Sequence, residues 1–314
     1  MKIWITAGGT GSAWHICQIA KKYYSDRIEL FVSDINEPQY VAASTLADHF
    51  FVVPPVRAKG YAEEMYRLLK ENNIDVIIPL IPWEQVYFAP DCVTFAQLGI
   101  QSLAPELITS RQMNNKIQLH DFCVNHQIPT IALIKPDEVQ PGQMYFVKEI
   151  DGFGAVGAKK IVGRELLEQL DQIELIQEFC GTSEGCNEIT MEVFYDKTTT
   201  WSIARRRLES KCGVCTKAAF VKVPEAEAIV AKMVDELPFP TVFNIQFINH
   251  DGIWKVMDVN LRLAAGTGLS NAAGFQLIRA ALAYLLQENV DKAWLTPDDT
   301  IKTVLRVYEE VVIR

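Results

Sequence analysis

The alternation of apolar and polar positions changes character along the chain and predicts two kinds of sheet in succession. Near the N-terminus, short apolar runs alternate with segments of helical periodicity, which is typical of a parallel α/β sheet. The runs are KIWIT, IELFVSD, HFFVVPP and IDVIIPLI, and YAEEMYRLLKENN is one of the helical segments between them. We therefore expect a doubly wound parallel domain at the start of the chain.

The clearest period-two pattern lies within residues 242–270. FNIQFI and IWKVMDVN flank an Asn-His-Asp-Gly turn, and an Asp-Gly pair favours the positive φ of a tight hairpin. Because side chains alternate between the two faces of a strand, Asp258, Asn260 and Arg262 should lie on one face, with Gln246 on the partner strand. One carboxylate with amide oxygens suits Mg²⁺. The alternative is an ordinary solvent-facing hairpin.

The region between these two patterns carries candidate phosphate-binding groups. Lys116 lies in a segment that predicts a single helix ending near residue 126. Lys148 ends a strand that leads into a loop with three glycines, whose backbone N–H groups can approach phosphates closely. No Gly-Lys-Ser/Thr follows, so this is not the phosphate loop of nucleoside triphosphatases. An ordinary glycine-rich hairpin is the alternative interpretation.

The glycine turn at residues 8–11 admits three interpretations. A dinucleotide site would use Asp34, at the end of the second strand, for the ribose, but Trp14 stands where a third glycine is needed. The same turn could present free N–H groups to another anion. It could also be purely structural.

Composition narrows the classes of function. Net charge is −9 and the 30 basic residues are dispersed, which argues against broad nucleic-acid binding. No apolar run reaches the roughly 18–20 residues that span a bilayer, so we expect no membrane partner. The opening MKIWITAGGTGS does not resemble a signal peptide, and we expect a cytoplasmic protein.

The cysteines are expected to be reduced thiols. There are seven, an odd number spread along the chain. Cys212 and Cys215 have Cys-x-x-Cys spacing, but no second pair completes a zinc site. An incidental pair is the favoured interpretation, with redox or metal use as the alternatives.

Taken in order, these elements resemble the ATP-grasp superfamily, in particular the short single-module relatives of the carbamoyl-phosphate synthase large subunit. The motifs are FVKEIDGFGAVG, IQEF, EITMEVFYD, RRRL and DVNLR, and the resemblance covers nearly the whole chain. It implies an N-terminal pre-ATP-grasp parallel α/β domain followed by an ATP-grasp fold of two α+β subdomains. The implied boundaries are 1–108 for the first domain, 109–180 for the lid subdomain with its linking helix, and 181–314 for the large subdomain.

The resemblance also implies which residues bind ATP. They are Lys116, Lys148, Gly152, Gly154, Gly157, Gln177, Glu178, Phe179, Cys180 and Glu188. The two lysines would contact the phosphates, and the glycines would form a lid over them. The four residues from Gln177 would form the hinge beside adenine, partly through backbone groups, and Glu188 would accept from the ribose hydroxyls.

Metal and anion sites are implied in the same way. Asp258 and Asn260, with Gln246 as a weaker ligand, would hold one or two Mg²⁺ ions, for which Mn²⁺ is a possible substitute. Relatives commonly have glutamate where this chain has Asp258 and often a second acid where it has Gln246. The implied catalytic arginines are Arg262, Arg205 and Arg207, which would meet the transferred phosphate or the substrate carboxylate.

The implied reaction is ATP-dependent ligation of a small carboxylate to an amine through an acyl phosphate, giving ADP and phosphate. A homodimer is expected on base rates, and the segment Pro79–Glu84 is a candidate wall of the substrate pocket. Three alternatives remain open. They are a kinase that releases an acyl or carbamoyl phosphate, a nucleotide-binding sensor or subunit without turnover, and a nicotinamide oxidoreductase.

Overall fold

The computed structural model describes residues 1–152, 157–181, 187–211, 214–307 and 310–312. The N-terminal domain contains β1 (Lys2–Ile5), α1 (Gly11–Tyr24), β2 (Glu29–Asp34), β3 (His49–Val52), α2 (Tyr61–Glu71), β4 (Val76–Ile78), α3 (Val93–Ala96) and β5 (Gln101–Ser102). Its strands form a parallel sheet in the order β3-β2-β1-β4-β5. The predicted doubly wound domain is confirmed.

Both faces of the strands β1, β2 and β4 are buried, which explains why they are continuous apolar runs, whereas the edge strand β3 is exposed or half-buried. Ile3 and Ile5 of β1 pack with Ile16 of α1 on one face. Trp4 points to the opposite face and packs with Met65 of α2. Burial on both sides is the normal state of a parallel sheet flanked by helices.

The next part of the chain forms a small antiparallel sheet and the helices leading to it. These elements are α4 (Leu107–Asn114), α5 (Lys116–Asn125), β6 (Met144–Lys148), β7 (Lys159–Val162), α6 (Gly163–Leu167) and β8 (Leu175–Glu178). The strand order is β7-β6-β8.

The prediction of a single helix around Lys116 is wrong, because α4 ends and α5 begins on either side of Asn115. That residue has extended backbone geometry, and its side chain accepts from the N–H groups of Ile117 and Gln118, both at 3.0 Å. Such a cap supplies partners for the free N–H groups at a helix start. Lys116 is therefore the first residue of α5.

The largest sheet follows. Its part of the chain contains β9 (Asn187–Tyr195), β10 (Thr200–Lys211), β11 (Val214–Val221), α7 (Pro224–Glu236), β12 (Val242–His250), β13 (Ile253–Asn260), α8 (Thr267–Ala272), α9 (Leu277–Leu285) and β14 (Thr303–Leu305). The strands are antiparallel in the order β13-β12-β9-β10-β11-β14. Across the described ranges, no helix is long and apolar enough to cross a bilayer.

Two turns shape the end of the chain. Asp251 and Gly252 have φ values of 52° and 83°, so the predicted hairpin turn is present. Helices α8 and α9 are separated by a break that contains Gly274, which has a φ of 89°. A left-handed glycine just after a helix normally terminates it.

Candidate functional site

The β12–β13 hairpin aligns the predicted metal ligands. Gln246 is paired with Asp258, and Asn244 is paired with Asn260. Directly opposed residues of an antiparallel pair point to the same face. All four side chains therefore lie on one surface of the large sheet, as the alternation predicted.

The chain just past β13 is held by side-chain contacts. The Asn244 amide donates to the carbonyls of Asn260 and Arg262, at 3.3 and 2.9 Å. The Arg262 Nη2 lies 3.4 Å from the Asn260 Oδ1, and its buried Nε has no hydrogen-bond partner among the described residues. Burial lowers the pKa of the Arg262 guanidinium, while the charges of Asp258 and Glu84 oppose that shift. Arg262 is thus a cation held in place beside Asn260, and its Nε–H remains available to a ligand.

Two lysines approach this surface, Lys148 from the end of β6 in the small sheet and Lys116 from the start of α5. Burial lowers the pKa of Lys148 to about 8, with the charge of Asp258 opposing the shift and that of Lys116 adding to it. Lys116 is buried, and its Nζ donates to the carbonyls of Ile150 and Gly152, at 3.2 and 2.7 Å. Lys148 also lines a pocket with Met257, the neighbour of Asp258 on β13, so the lysine lies close to the strand that bears the acid.

The glycine loop begins beside Lys116. A Cβ on Gly152 would lie 2.6 Å from a carboxylate oxygen of Glu149, so the close approach of that side chain requires glycine. Gly157, at the other end, has a φ of 69°, which favours glycine. Gly154 lies outside the described residues.

The predicted hinge lines a pocket between the sheets. The pocket is formed by Ile131, Phe146, Lys148, Gln177, Glu178, Phe179, Cys180, Glu188, Ile248 and Met257. These residues come from both sheets and from the segment that enters the small sheet. A narrow, mostly apolar slot with one lysine and two acids suits a flat heterocycle joined to a polar group.

The Glu178 side chain is already paired. Its carboxylate accepts from the Lys255 Nζ at 2.5 Å and from the Ala132 N–H at 2.9 Å. Burial raises the pKa of the Glu178 carboxyl, but these hydrogen bonds and the charge of Lys255 outweigh it and hold the pKa below its usual range. The Glu178 carboxylate is thus engaged, and at this residue the hinge offers its backbone groups to a ligand.

Glu188 and Arg207 face each other on neighbouring strands. The Arg207 Nη1 lies 3.8 Å from a Glu188 carboxylate oxygen, and Arg207 also donates to the Ser210 hydroxyl. Glu188 lines the hinge pocket. The structure thus places Arg207 beside the group predicted to contact ribose.

Arg205 lies in a buried network. Its guanidinium donates to the Glu192 carboxylate and, at 2.9 Å, to the Ser270 hydroxyl. Arg205 is 2% exposed and Glu192 is fully buried, and the hydroxyls of Ser270 and Thr267 also donate to that acid. A Cβ on Gly266 would lie 2.4 Å from the guanidinium. Arg205 thus joins strands β9 and β10 to helix α8, a placement that the sequence did not predict.

Glu192 and Lys255 were not predicted from the sequence as charged groups of the site, and Glu84 was predicted only as part of the candidate pocket wall at Pro79–Glu84. Glu192 and Glu84 are acids inside otherwise apolar runs, ITMEVFY and IPLIPWEQV, and that pattern indicates a hydrogen-bonded buried carboxylate. Glu84 accepts from the hydroxyls of Thr6 and Tyr61, and burial raises the pKa of its carboxyl. Lys255 gives no such signal, because it has the position of an ordinary strand lysine.

The glycine turn before α1 is engaged internally. The Gly9 N–H donates to the Asp34 carboxylate at 2.7 Å, and the Thr10 hydroxyl accepts from the Ala13 N–H as the helix cap. A carboxylate that fixes the turn in this way is less available to a ribose. This arrangement favours the structural interpretation of the turn over the dinucleotide one.

Comparison with known proteins adds two partial family matches. The family described as "PylC-like, N-terminal domain" matches residues 3–103, and "ATP-grasp in the biosynthetic pathway with Ter operon" matches residues 185–308. No curated protein sequence matches the chain significantly.

Solved structures resemble the chain along most of its length. The biotin carboxylase domain of 2-oxoglutarate carboxylase from Hydrogenobacter thermophilus, in complex with MgADP, ADP and bicarbonate, has a TM-score of 0.75 at 15% identity, covering 91% of this chain and 70% of that one. N5-carboxyaminoimidazole synthetase from Staphylococcus aureus has a TM-score of 0.71 at 13% identity, with 92% and 78% covered. Carboxyaminoimidazole ribonucleotide synthase from Aspergillus clavatus, complexed with ATP, has a TM-score of 0.71 at 15% identity, with 95% and 79% covered. At such low identity, the likeness establishes the shared fold.

Proposed function

We propose, from the premise that this chain belongs to the ATP-grasp superfamily, that it is an ATP-dependent ligase joining a small carboxylate to an amine. The observation that carries the proposal is the position of two lysines near the strand that bears Asp258. Lys148 lines a pocket with Met257 of that strand, and the Lys116 Nζ donates to the Gly152 carbonyl at the start of the glycine loop. Two cations opposite a carboxylate-bearing strand match a metal–triphosphate complex, in which the phosphates meet the lysines and the ion meets the acid.

The residues of the hairpin fit a magnesium ion. Asp258 supplies a carboxylate, and Asn260 and Gln246 supply neutral oxygens on the same surface. Mg²⁺ is held by few protein ligands and completes its shell with water and phosphate oxygens. When bound, the ion would neutralise phosphate charge. Mn²⁺ accepts the same oxygen ligands and is the expected substitute.

The hinge pocket suits the adenosine. Ile131, Ile248 and Met257 supply apolar walls for the base, and Glu188 supplies a carboxylate for the ribose hydroxyls. This orientation directs the phosphates towards Lys148, which lines the same pocket. The resemblance of the fold to an enzyme solved with ATP supports this assignment.

The proposed chemistry has two steps. A substrate carboxylate oxygen attacks the γ-phosphorus of ATP, the bond from that phosphorus to the bridging oxygen breaks, and ADP leaves. The amine then attacks the carbonyl carbon of the acyl phosphate, and phosphate departs with the former carboxylate oxygen. Arg262 orients the carboxylate, and the lysines neutralise charge on the transferred group, so catalysis comes mainly from positioning and electrostatics.

The other two predicted arginines take different parts in this proposal. Arg205 acts as a positioning residue, because its network holds α8 directly after the Arg262 segment. Arg207 would position Glu188 for the ribose.

The test is a screen of carboxylate and amine pairs for release of ADP and phosphate. ADP release that requires both substrates supports the ligase, and release with the carboxylate alone supports the kinase. Nucleotide binding without turnover in any pair supports the sensor. Lys148→Met should weaken ATP binding, whereas Lys160→Met, at an exposed lysine of the same small sheet, should not. Equal affinities for the two variants would remove Lys148 from the phosphate site.

A homodimer is part of the proposal. The Hydrogenobacter domain was solved as a dimer, and this chain shares its fold. Sedimentation of the wild-type protein as a monomer at micromolar concentration would reject it.

A further inference from the structure

A second groove lies outside the nucleotide cleft. It has a volume of about 620 Å³, and Arg57, Trp83, Arg111, Asn114 and Asp151 are among the residues that line it. Arg57 comes from a loop of the N-terminal domain, Trp83 comes from a short 3-10 helix at Pro82–Val86, and Arg111 and Asn114 come from α4. Asp151 belongs to the segment that leads into the glycine loop. The groove therefore lies where three parts of the chain meet.

The groove adjoins the phosphate end of the cleft. Its wall includes Asp151, which directly precedes Gly152, and the Gly152 carbonyl accepts from the Lys116 Nζ at 2.7 Å. On another side, Asn114 donates to Gln85 at 3.0 Å, and Gln85 donates to the Leu261 carbonyl at 3.2 Å, one residue before Arg262. A molecule in the groove would thus lie beside groups assigned to the transferred phosphate.

The side chains that line the groove carry a net positive charge. Arg57 and Arg111 face one acidic side chain, Asp151, among the lining residues. Within the described part of the chain, neither arginine is within ion-pair distance of a carboxylate. Arg67, in contrast, is paired with both Glu64 and Glu71. In a protein with 39 acidic residues and a net charge of −9, two unpaired arginines that line one groove point to an external anion.

Arg57 is also preorganised. Its guanidinium carbon lies 3.4 Å from the centroid of the Trp83 ring, which is a cation–π contact. Stacking uses the flat face of the guanidinium and leaves the N–H groups at its edge free for bidentate bonds to carboxylate or phosphate. A side chain held in this way loses less entropy when it binds a ligand.

We propose that the groove binds a second anionic group of the substrate, distinct from the carboxylate that reacts. The substrate is then a dicarboxylate or a phosphate-bearing carboxylic acid, with its remote anion between Arg57 and Arg111. The side chain of Asn115, whose oxygen caps α5, also lines the groove and would offer its amide nitrogen to that anion. This proposal rests on the proposed ligase function for the reacting end of the substrate only.

The test is calorimetric titration of the full chain, without nucleotide, using succinate and inorganic phosphate separately. Tighter binding of succinate identifies a second carboxylate, and tighter binding of phosphate identifies a phosphate group. Loss of a charge-assisted bond predicts that Arg57→Ala and Arg111→Ala each weaken binding about tenfold or more. Arg57→Lys should recover part of that loss, because it keeps the charge but not the planar fork.

Arg164→Ala is the matched control, because this exposed arginine of α6 does not line the groove. Its affinities should equal those of the wild type. Failure of both anions to bind, or wild-type affinity in the Arg57→Ala, Arg111→Ala double variant, would overturn the proposal. Anion binding by a protein that neither binds nor hydrolyses ATP would uphold the groove and reject the ligase. ADP release with substrate KM values unchanged in both arginine variants would uphold the ligase and reject the groove.

Discussion

Removing the Arg205 guanidinium would leave the Glu192 carboxylate buried without its positive partner. Both side chains are almost wholly inaccessible, and the remaining partners of the acid are the neutral hydroxyls of Thr267 and Ser270. Removal of one member of a buried ion pair typically costs about 3–5 kcal/mol. For a chain of 314 residues, an unfolding entropy of about 2.1 cal/mol/K per residue makes each kcal/mol equal to about 1.5 °C in Tm. Arg205→Met should therefore lower the Tm by about 5–8 °C, measured by thermal unfolding followed by circular dichroism.

Arg206→Ala provides the control on the same strand. Arg206 is exposed, so the change should alter the free energy of unfolding by about 0.5 kcal/mol or less. The double variant Arg205→Met, Glu192→Gln leaves no buried charge and should be more stable than Arg205→Met alone. Wild-type stability of Arg205→Met would refute the positioning role and return Arg205 to the set of groups available to substrate.

Three further outcomes are expected. The pKa of Lys148 is lowered to about 8, so this lysine loses its charge as the pH rises above that value. ATP affinity measured without divalent metal should therefore be constant at lower pH and weaken above about pH 8. An affinity that does not change with pH would contradict the contact of Lys148 with phosphate. Folding lowers the pKa of the Glu178 carboxyl from its ordinary value of 4.5, so the ionised carboxyl stabilises the fold at pH values above 4.5. This stabilisation is lost as the pH falls through the lowered pKa. Lys255→Met should therefore make the acid-side decline in Tm shallower than in the wild type, and identical declines would show that the pair with Glu178 adds no stability. Gly268→Ala places a methyl group 2.3 Å from the His15 ring and should cost about 1–3 kcal/mol in urea unfolding, whereas an unchanged midpoint would mean that the ring moves away freely.

The elements set by local pattern could be predicted from the sequence. The apolar runs of the first domain identified β1 to β4. In β1, β2 and β4 both faces are buried, and such strands need apolar residues at successive positions. The period-two alternation around the Asp-Gly turn aligned Asp258 with Asn260, and the register pairs them with residues of β12 on one surface. These predictions depend only on side-chain direction along a single strand.

Features that depend on long-range contacts could not be predicted in this way. The partner of Arg205 lies on the adjacent strand, and the hydroxyl of Ser270 is 65 residues away. The contact of Arg57 with Trp83 joins a loop to a short 3-10 helix of the N-terminal domain, and neither segment carries a motif. The break at Asn115 is local, but it depends on a side-chain cap that competes with helix continuation.

The central claim is that a magnesium–nucleotide complex binds between the small sheet and the β12–β13 hairpin. Its most direct test is calorimetric titration with a non-hydrolysable ATP analogue, with and without Mg²⁺, for the wild type and Asp258→Asn. We expect Mg²⁺ to tighten binding to the wild type by about tenfold or more, and Asp258→Asn to bind the metal-free analogue normally but to lose this gain. An equal gain from Mg²⁺ in both proteins, or no binding to the wild type, would contradict the claim.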